Sequence, residues 1–262
     1  ISQQIDFYVG EIKKEAANLI IIPETAFPWP QNNLPTGLLN YLQDFSNVSK
    51  SNVLLGLIGD IPTNAGVQYT NRATGLSPNS SPYQFDKVHL VPFGEFIPPG
   101  FHWFVEAFRV PMSDFARGSI EQAPFSIQRN GQADINAAMT ICYEDVFGEE
   151  IIRQLPQATM LVNVSNDAWY GHSIAAYQHL QFSQMRSLET GRMMLRATNT
   201  GATAIIGHHG ELIATLPHFT TAILNGTAQG YAGTTPYVRW GNWLIISLLF
   251  IALILLWGRK KK

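Results

Sequence analysis

Short apolar runs alternate with longer polar or amphipathic stretches along this chain, and this alternation limits its fold more than any other feature. The runs have the length of buried strands and cover residues 19–22, 53–58, 85–91, 135–141, 160–164 and 202–206. A first helix is predicted by the helical spacing of its apolar residues, which are Ile5, Tyr8, Val9, Ile12 and Ala16. Residues 173–188 predict a second, long helix. Alternating strands and helices predict an α/β domain, whose functional residues tend to lie where strands end.

The composition excludes several classes of function. A chain of 262 residues can bury one sizeable core, so we expect one catalytic domain. The net charge of −2, with 14% charged residues, provides no basic surface for nucleic acid. One cysteine excludes an internal disulfide and paired-cysteine metal sites, and the histidines lack the HExxH spacing. We therefore expect no nucleic acid partner, no metal and no cofactor.

The last part of the chain differs from everything before it. Residues 240–258, "WGNWLIISLLFIALILLWG", are nineteen uncharged residues, and as a helix they would reach about 28 Å. The sequence predicts a transmembrane helix here, because a buried amphipathic core helix would need a polar face that this run lacks. The basic residues 259–262 would then lie on the cytoplasmic side. Residues 1–239 would lie in the periplasm of a bacterium, at its inner membrane.

The beginning of the chain is also informative. It starts at Ile1 and shows no charged segment followed by an apolar core, so no signal peptide is visible. Because residues 1–239 would nevertheless need to be exported, we expect the sequence to be the tail of a longer membrane protein.

Several polar residues follow predicted strands. Glu24 comes just after the first apolar run, Lys87 and Glu95 lie in "FDKVHLVPFGEFIPP", and Cys142 directly follows the run at 135–141. Taken singly, each has an ordinary explanation: a solvated acid, a surface lysine, or a small buried thiol.

Together, however, these residues resemble the nitrilase superfamily, which carries a glutamate, a lysine and a cysteine on a four-layer α-β-β-α sandwich. The segments "PETAFPW", "KVHLVPFGEFIP", "ICYED", "VNVSNDAWYG", "QMRSLETGR" and "RATNTGATAIIG" look like its apolipoprotein N-acyltransferase branch. The resemblance runs from about Glu11 to the C-terminus. It implies that the first strand of the domain, and the transmembrane helices that precede it in the family, are missing from residues 1–239.

The resemblance implies a role for each residue. Cys142 would be the nucleophile, Glu24 the general base, and Lys87 the cation that stabilises the thiolate and the oxyanion. Glu95 would orient Lys87, while Tyr143 and Glu144 would shape the pocket beside the thiol. Packing and favourable acids at a helix N-terminus remain an alternative for this last pair.

The acids beside the cysteine raise a question about its reactivity. Glu144 and Asp145 follow Cys142 closely in sequence and should raise its pKa, whereas the nucleophile must react as a thiolate. We expect the positive charge of Lys87 to outweigh them.

Aromatic residues are concentrated after Lys87. Phe93 and Phe96 begin a stretch in which the other members are Ile97, Pro98, Pro99, Phe101, Trp103, Phe104 and Phe108. Because prolines and a glycine interrupt it, at least part should be a loop that admits acyl chains, together with Trp29 and Trp169. Core packing, and a structural turn at Trp169, are the alternatives.

Three functions remain open. The preferred one is a membrane acyltransferase that moves a fatty acyl chain from a phospholipid donor to the N-terminal amine of a diacylated lipoprotein acceptor. The second is a membrane-tethered nitrilase-type amidase that hydrolyses C–N bonds. The third, an inert lipoprotein-binding module, is disfavoured by the intact set of Glu24, Lys87 and Cys142.

Overall fold

The computed structural model describes residues 2–14, 17–64, 66–98, 100 and 114–259, and in this part of the chain two β-sheets are flanked by helices. The helices are α1 (Ser2–Lys14), α2 (Leu38–Ser49), α3 (Gly148–Ile151), α4 (Ala175–Thr190), α5 (Pro236–Trp240) and α6 (Trp243–Arg259). Short 3-10 turns cover Gln31–Asn33, Cys142–Val146, Ile152–Gln154 and Asp167–Tyr170.

The first sheet is built around one long hairpin. Within the described residues its strands are β1 (Leu19–Ile21), β2 (Phe27–Pro30), β3 (Asn52–Thr63), β4 (Gly66–Leu76) and β5 (Tyr83–Asp86). Strands β1 and β2 both pair parallel with β3, which pairs antiparallel with β4. Strand β5 follows β4 antiparallel. Lys87 therefore leaves the sheet directly after its last described strand.

The second sheet has a parallel centre. Its described strands are β6 (Phe125–Ile127), β7 (Ile135–Ile141), β8 (Met160–Ser165), β9 (Met194–Thr198), β10 (Ala204–Ile206) and β11 (Leu212–Thr215). Strands β7, β8 and β9 run parallel, and the outer strands pair antiparallel. Parallel strands end at one edge, so the residues after β7 and β8, Cys142 and Asn166, lie on the same side of the sheet.

Alternation along the strands produces four layers. In β3, Leu54 faces the second sheet, while its neighbours Val53 and Leu55 pack against α1 and α2. In β7, Met139 faces the first sheet, and Ala138 packs under α3 and α4. Side chains on a strand point to opposite faces in turn, so each sheet covers two apolar layers. The predicted α-β-β-α sandwich is confirmed.

The secondary structure differs from the prediction in several places. The strand expected over 85–91 ends at Asp86, because the N–H groups of Val88 and His89 donate to the Glu144 carboxylate and not to a neighbouring strand. The prediction did not include strands β2, β4, β6, β9 and β11 or helices α2, α3 and α5. In β4 and β9, polar residues such as Asn71 and Arg196 interrupt the apolar pattern.

The prediction of a transmembrane helix over 240–258 is not supported. The run is divided at Gly241, which has a φ of 53° and ends α5. Helix α6 has 17 residues, or about 26 Å, against a hydrocarbon core of about 30 Å. Among the helices of the described residues, none has the length and apolar character needed to cross a bilayer. The proposed cytoplasmic tail 259–262 begins at the last residue of α6, and residues 260–262 lie outside the described part.

Candidate active site

Cys142 occupies an uncommon backbone conformation at the end of β7. Its φ is 56°, in the left-handed region that residues with a side chain rarely adopt. The Cys142 carbonyl accepts a hydrogen bond from Asn163 Nδ2 at 2.9 Å, which fixes this turn to β8. The side chain is buried, with 7% of its surface exposed. The thiol is thus held at a sharp turn between strand and helix.

Lys87 is a fully buried cation between two carboxylates. Its Nζ lies 2.9 Å from Glu95 Oε1 and 3.3 Å from Glu24 Oε1. Burial by itself lowers the pKa of Lys87. The nearby groups raise it by more than burial lowers it, so the net pKa is raised; these groups are Glu24, Cys142, Glu95 and Glu144. The ammonium therefore remains charged, and it is paired as a buried charge requires.

Glu24 is held at both oxygens. Its Oε2 accepts the backbone N–H of Asn166 at 2.6 Å, and its Oε1 accepts Asn71 Nδ2 at 2.6 Å. The turn that carries Glu24 packs directly on Gly56 of β3. A Cβ at that glycine would overlap the Pro23 carbonyl oxygen and lie 2.7 Å from Glu24 Cα. The position of the carboxylate depends on the absence of a side chain there.

Glu95 connects the turn after Val91 to the site. Its Oε1 accepts Asn71 Nδ2 at 2.7 Å as well as Lys87 Nζ, and its Oε2 accepts the Val91 N–H at 2.8 Å. Glu95 thus lies in direct contact with Lys87, while its orienting role stays a prediction.

Glu144 joins the segments that carry Lys87 and Cys142. Its Oε1 accepts the N–H groups of Val88 at 2.6 Å and His89 at 3.0 Å, and its Oε2 accepts that of Ile141 at 2.8 Å. Burial raises the pKa of Glu144 to about 7, although these hydrogen bonds and Lys87 lower it. The neighbouring Tyr143 donates its hydroxyl to the Leu90 carbonyl at 2.9 Å, and its ring centroid lies 5.7 Å from Lys87 Nζ.

The pKa of Cys142 is raised, mainly by burial and then by Glu24. Lys87 lowers it, as does a hydrogen bond with Ser165, and Asp167 raises it. The acids with the largest effect are therefore not the sequence neighbours that the prediction considered. The Glu144 carboxylate accepts hydrogen bonds from backbone N–H groups, and the Asp145 carboxylate lies against His179 and Arg196. Lys87 lowers the pKa as expected but does not outweigh burial, so the resting thiol is protonated.

This arrangement can perform nucleophilic acyl chemistry. A buried carboxylate, Glu24, can take the thiol proton at the moment of attack, and Lys87 provides positive charge for a developing oxyanion. No group of three histidine, cysteine or acidic side chains within the described ranges is arranged to hold a metal ion.

The residues expected to bind lipid lie apart from one another. Trp29 is half-buried and packs in the layer formed by α1, α2 and the first sheet. Phe93 is 40% exposed with a φ of 59°, and Phe96 lies under the Arg117 guanidinium at 5.0 Å. Trp169 is 81% exposed, in the turn after Asn166. Among the other members of the stretch, Ile97 and Pro98 are half-buried, whereas Pro99, Phe101, Trp103, Phe104 and Phe108 lie outside the described residues.

Three polar residues of the site were not singled out from the sequence. Asn71 bridges Glu24 and Glu95, Asn166 binds Glu24 through its N–H, and Ser165 contacts the thiol. For Asn166 and Ser165 a signal existed, since polar residues directly follow the apolar run at 160–164 in "VNVSND". Asn71 lies inside a strand that the apolar pattern did not reveal.

Known proteins share the sequence pattern and the fold of this chain. Residues 2–237 match the family described as carbon-nitrogen hydrolase. Curated relatives include the apolipoprotein N-acyltransferases of Nitrosomonas europaea, 46% identical over 97% of this chain, and Chromobacterium violaceum, 44% identical over 97%. These alignments cover 50% and 49% of the relatives, so the chain spans about half of their length.

Solved structures show the same fold at low sequence identity. A carbon-nitrogen hydrolase from Helicobacter pylori is 13% identical, with a TM-score of 0.57 over 82% of this chain and 81% of that one. An amidase from a Nesterenkonia species is 15% identical, with a TM-score of 0.55 over 82% of this chain and 81% of that one. Its structure carries the acetamide moiety of fluoroacetamide covalently on the active-site cysteine. Since the family match extends over most of the chain and the fold agrees with it, the chain belongs to the carbon-nitrogen hydrolase family.

Proposed function

We propose that this chain carries the catalytic machinery of a membrane acyltransferase. It would move a fatty acyl chain from a phospholipid, through a thioester on Cys142, to the N-terminal amine of a diacylglyceryl-cysteine lipoprotein. The observation that carries the proposal is the buried set of Glu24, Lys87 and Cys142 in a chain 46% identical to a named apolipoprotein N-acyltransferase. We assign residues 1–239 to the catalytic domain.

In the first half-reaction, Glu24 takes the Cys142 proton as sulfur attacks the ester carbonyl of the phospholipid. The oxyanion is stabilised by the Lys87 ammonium and a backbone N–H after Cys142. When the C–O bond breaks, Glu24 returns the proton to the leaving alkoxide, and lysophospholipid departs. Because the resting thiol is protonated, attack and proton transfer must be coupled.

In the second half-reaction, the lipoprotein amine attacks the thioester. Glu24 takes a proton from the attacking nitrogen, the C–S bond breaks, and Cys142 recovers its proton. Lys87 again stabilises the oxyanion, and Glu95, which contacts its Nζ at 2.9 Å, keeps the ammonium in place. Tyr143 and Glu144 would support the same pocket.

We propose that the substrates reach the site at the bacterial inner membrane, from the periplasmic side. Phe93, Phe96, Trp29 and Trp169 are the candidates for contact with acyl chains. The exposed position of Phe93 and Trp169 supports this for those two residues, whereas the packing of Trp29 in a core layer supports a structural role. Replacing Phe93 with Ser should impair transfer from bilayers far more than thermal stability, and equal losses would assign Phe93 to packing.

Hydrolysis of a C–N bond is the second candidate. With the same thiol, cation and carboxylate, water could attack the acyl-enzyme in place of an amine. The amidase from Nesterenkonia shares the fold. Its 15% identity supports only the fold, whereas the much higher identity to named N-acyltransferases favours an amine acceptor.

The test is a reaction with phospholipid in the absence of an acceptor. We expect Cys142 to accumulate as a hydroxylamine-sensitive thioester, with at most one equivalent of lysophospholipid released. Addition of a diacylated lipopeptide should then discharge the acyl chain to its amine, with ping-pong kinetics. Steady release of free fatty acid without an acceptor would instead identify a hydrolase.

A further inference from the structure

Four titratable side chains, Asp145, Asp167, His179 and Arg196, form a ring of ion-pair distances between α4 and the outer face of the second sheet. His179 Nδ1 is hydrogen-bonded to Asp167 Oδ1 at 3.1 Å, whereas His179 Nε2 lies 3.1 Å from Asp145 Oδ1, an ion-pair distance without hydrogen-bond geometry. Arg196 closes the ring, with Nη1 at 3.3 Å from Asp145 Oδ2 and Nη2 at 3.1 Å from Asp167 Oδ2. The side chains are between 0% and 3% exposed.

We propose that His179 is a positioning residue whose imidazolium, together with Arg196, fixes the turn after Cys142 against the turn that binds Glu24. The inference goes beyond the proposed acyl transfer, because it concerns how the thiol and its base are aligned and not what they react with.

Charge balance explains why the histidine must be protonated. Two buried carboxylates and one guanidinium leave one negative charge, and an imidazolium makes the ring neutral. Unpaired buried charge is costly, so the neutral sum is favoured. Burial and Arg196 lower the pKa of His179, but Asp145 and Asp167 raise it, and the net pKa is raised. The pKa of Asp167 is lowered to about 2 despite burial, through His179 and Arg196.

The ring is connected to the thiol along one edge of the sheet. Arg196 Nη1 donates to Asn163 Oδ1 at 2.7 Å, and the other end of that amide donates to the Cys142 carbonyl. Asp167 accepts the Ser165 hydroxyl at 2.7 Å, and the interaction with Ser165 lowers the pKa of the Cys142 thiol.

The ring is connected to the general base on the other side. Asp167 directly follows Asn166, whose N–H binds Glu24 Oε2 at 2.6 Å. Asp145 lies in the same short turn as Cys142, Cys142–Val146. A single histidine on α4 therefore contacts both turns that form the reacting pair.

Two other groups recorded beside the ring in the described part of the chain, Ser183 and Tyr170, are uncharged. Ser183, one turn further along α4, donates to Asp145 Oδ2 at 2.5 Å, and the Tyr170 ring lies edge-on at 6.0 Å. Burial raises the pKa of Tyr170 to about 12, so it stays neutral. The charge of the ring at neutral pH is thus determined by the four residues themselves.

The protonation state can be measured directly in the wild-type protein. Nitrogen-15 NMR of labelled histidine should show both His179 nitrogens protonated at pH 7 and above. Detection of a neutral His179 tautomer at pH 7 would overturn the proposal, and this measurement requires no variant to fold.

The positioning role is tested by charge compensation, with iodoacetamide alkylation of Cys142 followed from pH 6 to 11. His179→Gln leaves an extra negative charge near the thiol and should raise its pKa by about one unit, which slows alkylation at neutral pH about tenfold. In the double variant His179→Gln/Asp145→Asn the net charge is restored, and most of the shift should disappear. His172→Gln, an exposed histidine stacked on Phe219, is the matched control.

Alkylation requires no acyl donor, so this result is independent of the proposed reaction. An unchanged profile in His179→Gln would overturn the positioning role. A double variant that is worse than His179→Gln would also do so, because it would show that contacts and not charge matter. If His179→Gln does not fold, the NMR measurement alone decides.

Discussion

Lys87 is the residue on which the chemistry of the site depends most directly. It lies between Glu24 and Glu95 and lowers the pKa of a thiol that burial and Glu24 raise. The Lys87 ammonium therefore pairs with the Glu24 carboxylate that acts as the base. The same positive charge can stabilise the oxyanion that forms on the substrate.

Replacing Lys87 with Met keeps much of the length of the side chain and removes its charge. The pKa of Cys142 should rise further, and acylation should slow by about 10²- to 10³-fold through loss of oxyanion stabilisation. Lys87→Arg should rescue poorly, because the guanidinium is larger and planar. The measurement is the pH profile of Cys142 alkylation together with the rate of thioester formation.

The matched control is Lys50→Met, at an exposed position after α2. An alkylation profile in Lys87→Met identical to that of wild type would exclude Lys87 as the source of thiolate stabilisation.

The raised pKa of Glu144 predicts how the free energy of unfolding changes with pH. Its pKa is 4.5 as a reference value and about 7 in the fold, so the folded state holds this proton more tightly. The contribution to stability is complete below about pH 4.5 and is lost as the pH rises through about 7, with a total of about 3 kcal/mol at most.

Urea unfolding of wild type and Glu144→Gln between pH 4.5 and 8 tests this, because the amide does not titrate. The decline in stability across this window should be smaller in Glu144→Gln. The exposed Glu121→Gln should keep the wild-type slope. Equal slopes in all three proteins would contradict the assignment.

At the scale of elements, the site depends on close contact between β3 and the Glu24 turn. Gly56→Ala would place a methyl group against the Pro23 carbonyl and Glu24 Cα. We expect lower thermal stability and thioester formation about 10²-fold slower, since a displacement of about 1 Å can cost this much.

Gly10→Ala is the matched control, because apart from the backbone of α1 and the adjacent residues no described atom lies within 4 Å of the added Cβ. It should preserve activity and slightly increase stability, as alanine is the better helix former. A Gly56→Ala protein with a wild-type rate would show that the turn can move without consequence.

Elements determined by local pattern were predicted well from the sequence. Strand β7 covers the predicted residues, and α4 lies within two residues of its predicted bounds. The end of β5 could not be predicted, because it depends on Glu144 from a distant part of the chain taking the N–H groups of Val88 and His89. The role of Asn71 was missed for the same reason, since its partners Glu24 and Glu95 meet only in the folded sheet.

At the scale of the whole molecule, α6 stands apart from the sandwich. Its apolar side chains are exposed on every side, with Leu249 58% and Leu253 64% exposed. Such a surface is normally covered by lipid or by another protein. The apolar character of α6 was predicted from the sequence. The length of the helix was not, because the helix is interrupted by the left-handed backbone conformation of Gly241, which the apolar pattern does not show.

We expect the chain to float with vesicles of phosphatidylethanolamine and phosphatidylglycerol. Leu249→Glu and Leu253→Glu should weaken this association at least tenfold while Cys142 alkylation stays as in wild type. Val48→Glu, 84% exposed on α2, is the control. Unchanged flotation in both α6 variants would remove α6 from the lipid-binding surface.

The contact between Glu24 and Asn166 has a consequence for the order of events in folding. It joins residues 142 positions apart, and the bond from Val88 to Glu144 joins residues 56 positions apart. Contacts so distant in sequence form slowly, because the entropy of closing long loops must be overcome first. An emerging polypeptide would therefore hold an exposed cysteine with an ordinary thiol pKa, and burial of the thiol beside Glu24 and Lys87 would follow only when the later strands are made. Native-type alkylation should appear only with the last kinetic phase of refolding, and its arrival with an earlier phase would contradict this order.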